Sequence, residues 1–121
     1  MKKVILDTSF IITCAKQKID FFSDIFEMGL EILIPRQVLS ELKKLSEKNE
    51  SARLALGIFG KKKKMFREIN LEKYGKTTDK GIINFSKENP GTIIATLDKE
   101  IKSKTLNRKM VIRSKKKLEI V

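Results

Sequence analysis

The sequence contains no histidine and no tryptophan, and it has only one cysteine among its 121 residues. Without histidine, the chain has neither a Ser-His-Asp nor a Cys-His catalytic arrangement, and it has no histidine-ligated metal site. The single cysteine, Cys14, excludes an internal disulfide and a cysteine-based zinc site. Any enzymatic chemistry must therefore rest on carboxylates, lysines, hydroxyls or a hard cation.

Long apolar runs and Pro/Gly/Ser-rich linkers are also missing. No stretch approaches the ~20 apolar residues that span a bilayer. Asp7 interrupts the apolar run after Lys2 and Lys3 too early for a signal peptide. We therefore expect a soluble, cytoplasmic protein with no membrane partner. The length and the 40% apolar content predict a single domain over residues 1–121 with a core of its own.

Acidic residues are scarce relative to basic ones. The chain has 27 Lys and Arg against 15 Asp and Glu, a formal net charge of +12, and 22 of its cations are lysines. This balance favours a polyanionic partner, because lysine binds phosphates as a point charge. A lysine-rich thermophile or AT-rich genome is the alternative explanation. Two basic groups stand out: the run at 61–64, and nine cations against one acid between residues 99 and 117.

The hydrophobic pattern alternates strands with helices. Strands are predicted at 4–6, 32–34, 66–71, 92–96 and 110–112, with an edge strand at 118–121. Helices are predicted at 8–16, 21–28, 35–48, 49–59, 79–87 and 99–106, with Asn49 as the N-cap of the fourth. This order predicts an α/β fold with a central parallel sheet of about five strands. In such sheets, ligands bind outside the carboxyl ends of the strands.

Four acidic residues occupy informative positions. Asp7 and Asp98 follow predicted strands, whereas Asp79 and Glu41 lie on or beside the apolar faces of predicted helices. Helix capping and ion pairs with lysine are the plain structural alternatives. Gathered in one pocket, the carboxylates would repel one another by about 3 kcal/mol for each close pair. An all-oxygen site without histidine selects Mg²⁺ or Mn²⁺.

Four segments around these acids resemble, in order, the acidic motifs of the PIN domain family. They are LDTSF at 6–10, VLSEL at 38–42, TDKGII at 78–83 and ATLDKEI at 95–101. Each motif alone is weak, but the ordered set is specific and covers nearly the whole chain. Residues 79–106 are most similar to the small archaeal and eukaryotic PIN proteins of rRNA processing. The VapC toxins are a more distant match.

The resemblance implies a three-layer α/β/α fold and a metal-dependent endoribonuclease. The family's catalytic, metal-binding acids fall on Asp7, Glu41, Asp79 and Asp98. Its supporting hydroxyls fall on Ser9 and Thr96. The implied cofactor is Mg²⁺ or Mn²⁺, and the implied partner is RNA, either rRNA or tRNA. The predicted RNA-binding residues are Lys61, Lys62, Lys63, Lys64, Lys99, Lys102, Lys104, Arg108 and Lys109.

One position departs from the family pattern. Many members carry a second acid directly after the third motif acid, where this chain has Lys80. Glu100 is the candidate for an additional acid near the fourth. With fewer acidic ligands, the site could bind one metal ion instead of two, and its activity could be weak or absent.

The alternatives are an inactive PIN-like scaffold that binds RNA or the ribosome, and a VapC-type toxin held by an antitoxin. PIN relatives are often dimers, and the sequence leaves a homodimer open.

Overall fold

Six strands and six α-helices make up the computed structural model, which describes residues 2–121. In chain order they are β1 (Lys3–Leu6), α1 (Thr8–Lys16), α2 (Phe21–Glu27), β2 (Glu31–Pro35), α3 (Arg36–Leu45), α4 (Glu50–Lys61), β3 (Phe66–Ile69), α5 (Thr78–Glu88), β4 (Ile93–Ala95), α6 (Lys99–Ser103), β5 (Lys109–Arg113) and β6 (Lys117–Ile120). None of the helices in this range is long and apolar enough to cross a membrane.

The strands form one sheet in the order β3-β2-β1-β4-β5-β6. The first five are parallel, and β6 pairs antiparallel with β5. The predicted α/β class and parallel sheet are therefore confirmed, and the predicted edge strand adds the sixth member. In the centre of the sheet, Leu6 of β1 lies opposite Ala95 of β4. The residues that follow these two strands therefore emerge side by side at one edge.

Helices cover both faces of the sheet. Because successive strand residues point to opposite faces, Val4 and Leu6 pack into the core on the side of α1 to α4. Ile5 packs on the other side with buried residues of α5 and α6, among them Ile82 and Ile101. The sheet is thus the middle of three layers, as the family resemblance implies.

Capping residues set several helix boundaries, and long-range contacts set others. As predicted, Asn49 is the N-cap of α4, where its side chain accepts a hydrogen bond from the backbone N of Ala52. Pro35 is the last residue of β2 instead of the first of a helix, and α3 ends at Leu45 instead of residue 48. The helix predicted at 99–106 already ends at Ser103.

The early end of α6 follows from the side chain of Asn107. Its buried Nδ2 donates to the carbonyl oxygens of Ser86, Asn89 and Thr92, at 3.1, 3.0 and 2.8 Å. The two amide hydrogens are thus shared among carbonyl groups at the end of α5 and in the turn before β4, and they hold the chain away from a helical path. Residues 104–108 therefore form a connection that leads directly into β5.

Candidate active site

Asp7 follows β1 directly and is only 5% exposed. Its Oδ1 accepts a hydrogen bond from the backbone N of Thr8 at 2.8 Å. Its Oδ2 accepts from Ser9 Oγ at 3.2 Å and from Thr96 Oγ1 at 2.7 Å. Burial raises the pKa of Asp7, although these hydrogen bonds act in the opposite direction. The two hydroxyls predicted to support the site therefore both orient this carboxylate.

Helix α3 brings Glu41 next to Asp7 through a third hydroxyl. Thr8 Oγ1 donates to Glu41 Oε2 at 2.9 Å, while the backbone N of the same residue donates to Asp7. The charge of Glu41 adds to the rise in the pKa of Asp7. Thr8 thus links two of the four acids. Sequence reasoning missed it, because a threonine after a strand looks like the ordinary first residue of a helix.

Asp98 is the N-cap of α6. Its Oδ1 accepts hydrogen bonds from the backbone N of Glu100 at 2.8 Å and of Ile101 at 3.1 Å. Its own backbone N donates to Thr96 Oγ1 at 3.0 Å. Within residues 2–121, its Oδ2 accepts no hydrogen bond. Asp98 therefore caps the helix through Oδ1, as the structural alternative predicts, while Oδ2 is available to a ligand.

The third predicted acid, Asp79, lies in the first turn of α5, close to Asp98. Carboxylate oxygens of Asp79, Asp98 and Glu100 lie within 4.8 Å of one another. Burial raises the pKa of Asp79, and the charges of Asp98, Asp7, Glu41 and Glu100 raise it further. The four predicted acids therefore lie at one edge of the sheet, within reach of each other's charge. Glu100, at first only a candidate, belongs to the same cluster.

Little positive charge offsets these acids. In the part of the chain that the structure describes, the only ion pair of the cluster joins Lys104 Nζ to Glu100 Oε1 at 2.8 Å. Both side chains are more than half exposed and lie one helical turn apart, so the pair contributes little. A cluster of oxygen donors that lacks a strong internal cation fits Mg²⁺ or Mn²⁺ by its chemistry.

Two glycines fix the first turn of α5, and with it Asp79. A Cβ on Gly81 would lie 3.0 Å from Leu71 Cβ, and a Cβ on Gly75 would lie 2.9 Å from the backbone N of Gly81. The loop after β3 and the helix therefore approach so closely that a methyl group does not fit without a shift. This contact joins the loop after β3 to α5, and no local sequence pattern predicts it.

The topology of the sheet divides the predicted RNA-binding residues into two sets. Lys99 and Lys102 lie on α6, which begins directly after Asp98, and Lys104 is the C-cap of this helix. Six others lie towards the edge where the strands begin, namely Lys61, Lys62, Lys63, Lys64, Arg108 and Lys109. Of these, Lys109 donates through Nζ to the carbonyl oxygens of Thr105 and Asn107. The acids and most of these cations therefore occupy opposite edges.

A mainly parallel sheet between helices, with acids gathered at one edge, is the arrangement that the resemblance to PIN domains implies. The family model described as "PIN like domain" matches residues 4–117, and the chain belongs to this family. The curated protein Ribonuclease VapC4 of Methanocaldococcus jannaschii is 33% identical over an alignment of 129 positions, gaps included, which covers 99% of this chain and 97% of that protein.

A solved structure of the PIN domain endonuclease Utp24 has the same fold. It aligns with a TM-score of 0.77 and 25% sequence identity, covering 98% of this chain and 95% of that one. The family prediction made from the four motifs is thus confirmed. The greater similarity to PIN proteins of rRNA processing than to VapC toxins stays a prediction. The relative found by sequence is named VapC4, whereas the structural neighbour is named Utp24.

Proposed function

We propose that this protein is a Mg²⁺- or Mn²⁺-dependent endoribonuclease with its site at the acidic edge of the sheet. The observation that carries the proposal is the approach of Asp79, Asp98 and Glu100 oxygens to within 4.8 Å. Like charges at this separation repel, and a divalent cation offsets that repulsion. Family membership and the relative named as a ribonuclease support RNA as the substrate, and the neighbour named as an endonuclease supports cleavage within the strand.

Each acid has a role in this proposal. Asp7, Asp79 and Asp98 hold the metal directly or through water, Glu41 completes the set, and Glu100 adds a further carboxylate beside Asp79 and Asp98. A bound Mg²⁺ or Mn²⁺ supplies an activated water and neutralises charge at the phosphate. Ser9 and Thr96 keep the Asp7 carboxylate in a fixed orientation. Lys99 and Lys102, which neighbour the acids along α6, contact phosphates of the bound RNA.

The test is cleavage of a labelled, partly single-stranded RNA with Mn²⁺, with Mg²⁺ and with EDTA. The variant is Asp7→Asn with Asp98→Asn, because asparagine preserves the helix cap at 98. The matched control is Asp20→Asn, which changes the N-cap of α2. We expect metal-dependent cleavage that falls at least about 100-fold in the double variant and is retained in the control. Cleavage in EDTA, or equal cleavage by the double variant, would refute the proposal.

For the natural substrate we propose ribosomal RNA, with tRNA as the alternative. The similarity of residues 79–106 to PIN proteins of rRNA processing supports this choice. The deciding measurement is kcat/KM on rRNA precursor fragments and on tRNA of matched length. A preference for tRNA would replace the rRNA assignment and leave the nuclease proposal intact.

Two other functions each have an observation in their favour. Lys80, at the position where many PIN proteins have a second acid, favours an inactive scaffold. RNA binding without measurable Mn²⁺ binding would support that alternative. The 33% identical relative named VapC4 favours a toxin. Growth arrest on expression, relieved by Asp7→Asn, would support it.

A further inference from the structure

The hairpin formed by β5 and β6 carries a dense group of cations that the predicted RNA-binding set did not include. Arg113, Lys115, Lys116 and Lys117 are all exposed. Arg113 Nε lies 2.8 Å from Glu119 Oε2. Throughout residues 2–121, no carboxylate lies within 4.0 Å of the amino groups of the three lysines. Adjacent like charges without a protein partner favour an anion from outside the chain.

The tip of this hairpin lies at the same edge of the sheet as the acids. Strand β5 runs parallel to β4, and Met110 lies opposite Ala95. Arg113 follows Met110 by three residues, just as Asp98 follows Ala95. Since neighbouring strands are about 4.8 Å apart, the tip of the hairpin emerges at the edge that carries the acids, one strand away from β4.

Charge along this edge is uneven. On the other flank, Arg36 follows the carboxyl end of β2, and its Nε lies 3.2 Å from Glu68 Oε2. The cation at the end of β2 is therefore paired with a protein carboxylate, whereas Lys115 to Lys117 beyond β5 are not. An RNA strand that crosses the acidic site meets unpaired cations on the β5 side.

The backbone of the tip is unfavourable for the residues found there. Lys115 and Lys116 have φ angles of +64° and +61°. Side chains rarely adopt this left-handed conformation, and hairpin turns that need it in two successive residues favour Asn-Gly. Two lysines therefore have a low intrinsic preference for this turn, although they present two amino groups to solvent at the end of the β5–β6 hairpin.

We propose that Lys115 to Lys117 form a phosphate-binding arm that holds the RNA strand beside the acidic site. This inference rests on the proposed ribonuclease function and adds an RNA contact beyond Lys99 and Lys102. Lysine contacts phosphates without reading base edges. The arm therefore positions RNA independently of its sequence.

The test compares two double variants that each remove two positive charges. Lys115→Asn with Lys116→Gly gives the tip the residues that its backbone favours, so we expect an unchanged or higher Tm. Lys43→Gln with Lys44→Gln is the control, because these two exposed lysines in the last turn of α3 do not belong to the predicted RNA-binding set. Fluorescence anisotropy measures the Kd of a labelled unstructured oligoribonucleotide in EDTA at several salt concentrations. For the tip variant we expect a salt slope smaller by about 1.4 and a Kd weaker by roughly 25-fold near 0.1 M salt.

The outcomes separate this inference from the proposed function. An unchanged Kd and salt slope in the tip variant would overturn the arm, and so would an equal loss in the control, because bulk charge would then suffice. Cleavage by the wild-type protein with Mn²⁺ is measured in parallel. If the wild type binds RNA through the tip but does not cut it, the nuclease proposal fails and the arm stands.

Discussion

Among single residues, Thr8 has the most specific part in the arrangement of the site. Its hydroxyl holds Glu41 and its backbone N holds Asp7. Thr8→Val removes only the donor to Glu41 and keeps the shape of the side chain. We expect Mn²⁺ affinity, measured by isothermal titration calorimetry, to fall about tenfold, which is typical of losing a group that orients a ligand.

Thr8→Ser is the matched control, because it keeps the hydroxyl and removes the methyl group. Its Mn²⁺ affinity should stay within about threefold of the wild type, a range well inside the effect expected for the valine variant. Equal losses in the serine and valine variants would show that packing of the methyl group, and not the hydrogen bond, positions Glu41.

The ionised carboxylate of Asp79 destabilises the metal-free protein. Its pKa is raised in the fold by burial and by neighbouring acids, so the folded state binds the proton more tightly than the unfolded state. Stability therefore falls as the pH rises from the ordinary value of 3.8 through the folded-state pKa. In EDTA at neutral pH, Asp79→Asn should raise the Tm by roughly 2 to 4 °C.

This gain should vanish below pH 3.8, where the carboxyl is protonated in both states. Asp20→Asn, far from the cluster, controls for the general effect of removing one negative charge. Calorimetry at both pH values makes the comparison. A lower Tm for Asp79→Asn in EDTA would contradict the account of like-charge repulsion.

At the scale of elements, the contact between the loop after β3 and α5 should be intolerant of a methyl group. In Gly81→Ala the new Cβ would lie 3.0 Å from Leu71 Cβ. We expect a loss of about 1 to 2 kcal/mol in the free energy of unfolding, together with weaker metal binding as Asp79 shifts. Urea titration measures the first effect and calorimetry the second.

Gly57→Ala is the control for this substitution. It also lies in a helix, but nothing is within 4 Å of a Cβ added there. Because alanine favours the helix over glycine, this variant should be more stable by about 0.5 to 1 kcal/mol. A stabilised Gly81→Ala would show that Leu71 moves aside at little cost.

Local sequence signals were sufficient to predict the order of strands and helices and the edge of the sheet on which the acids lie. Buried apolar runs of strand length, caps such as Asn49 and the aspartates after two strands were enough for the parallel sheet. The end of α6 was not predictable, because it depends on three bonds from Asn107 to distant carbonyl groups. The link from Thr8 to Glu41 spans 33 residues and leaves no trace in local spacing.

At the scale of the whole molecule, metal binding should raise the free energy of unfolding. The acids are gathered at one edge of a protein whose net charge is +12. At a concentration about 100 times its Kd, Mn²⁺ adds about 2.7 kcal/mol to the free energy of unfolding. For a chain of 121 residues, this gain raises the Tm by about 10 °C. Asp79→Asn should lose most of this rise, while Asp20→Asn should keep it. A Tm insensitive to Mn²⁺ would favour the scaffold alternative.

Composition indicated a polyanionic partner but not where it binds. The number of lysines does not show where they lie in the fold. The conspicuous run at 61–64 precedes β3, on the side away from the acids. Only the strand order shows that the end of β5 returns to the acidic edge. The lysines at 115–117, at the end of the second basic group, therefore become the stronger candidates for contact with RNA.

The double use of Asp98 has an evolutionary consequence. One of its oxygens caps α6 and only the other is available to a ligand, so asparagine would keep the fold and remove the charge. Aspartate and asparagine codons differ by one base. Loss of activity at this position is therefore a short and structurally neutral step, and descendants that keep the fold without the chemistry should arise readily in this lineage.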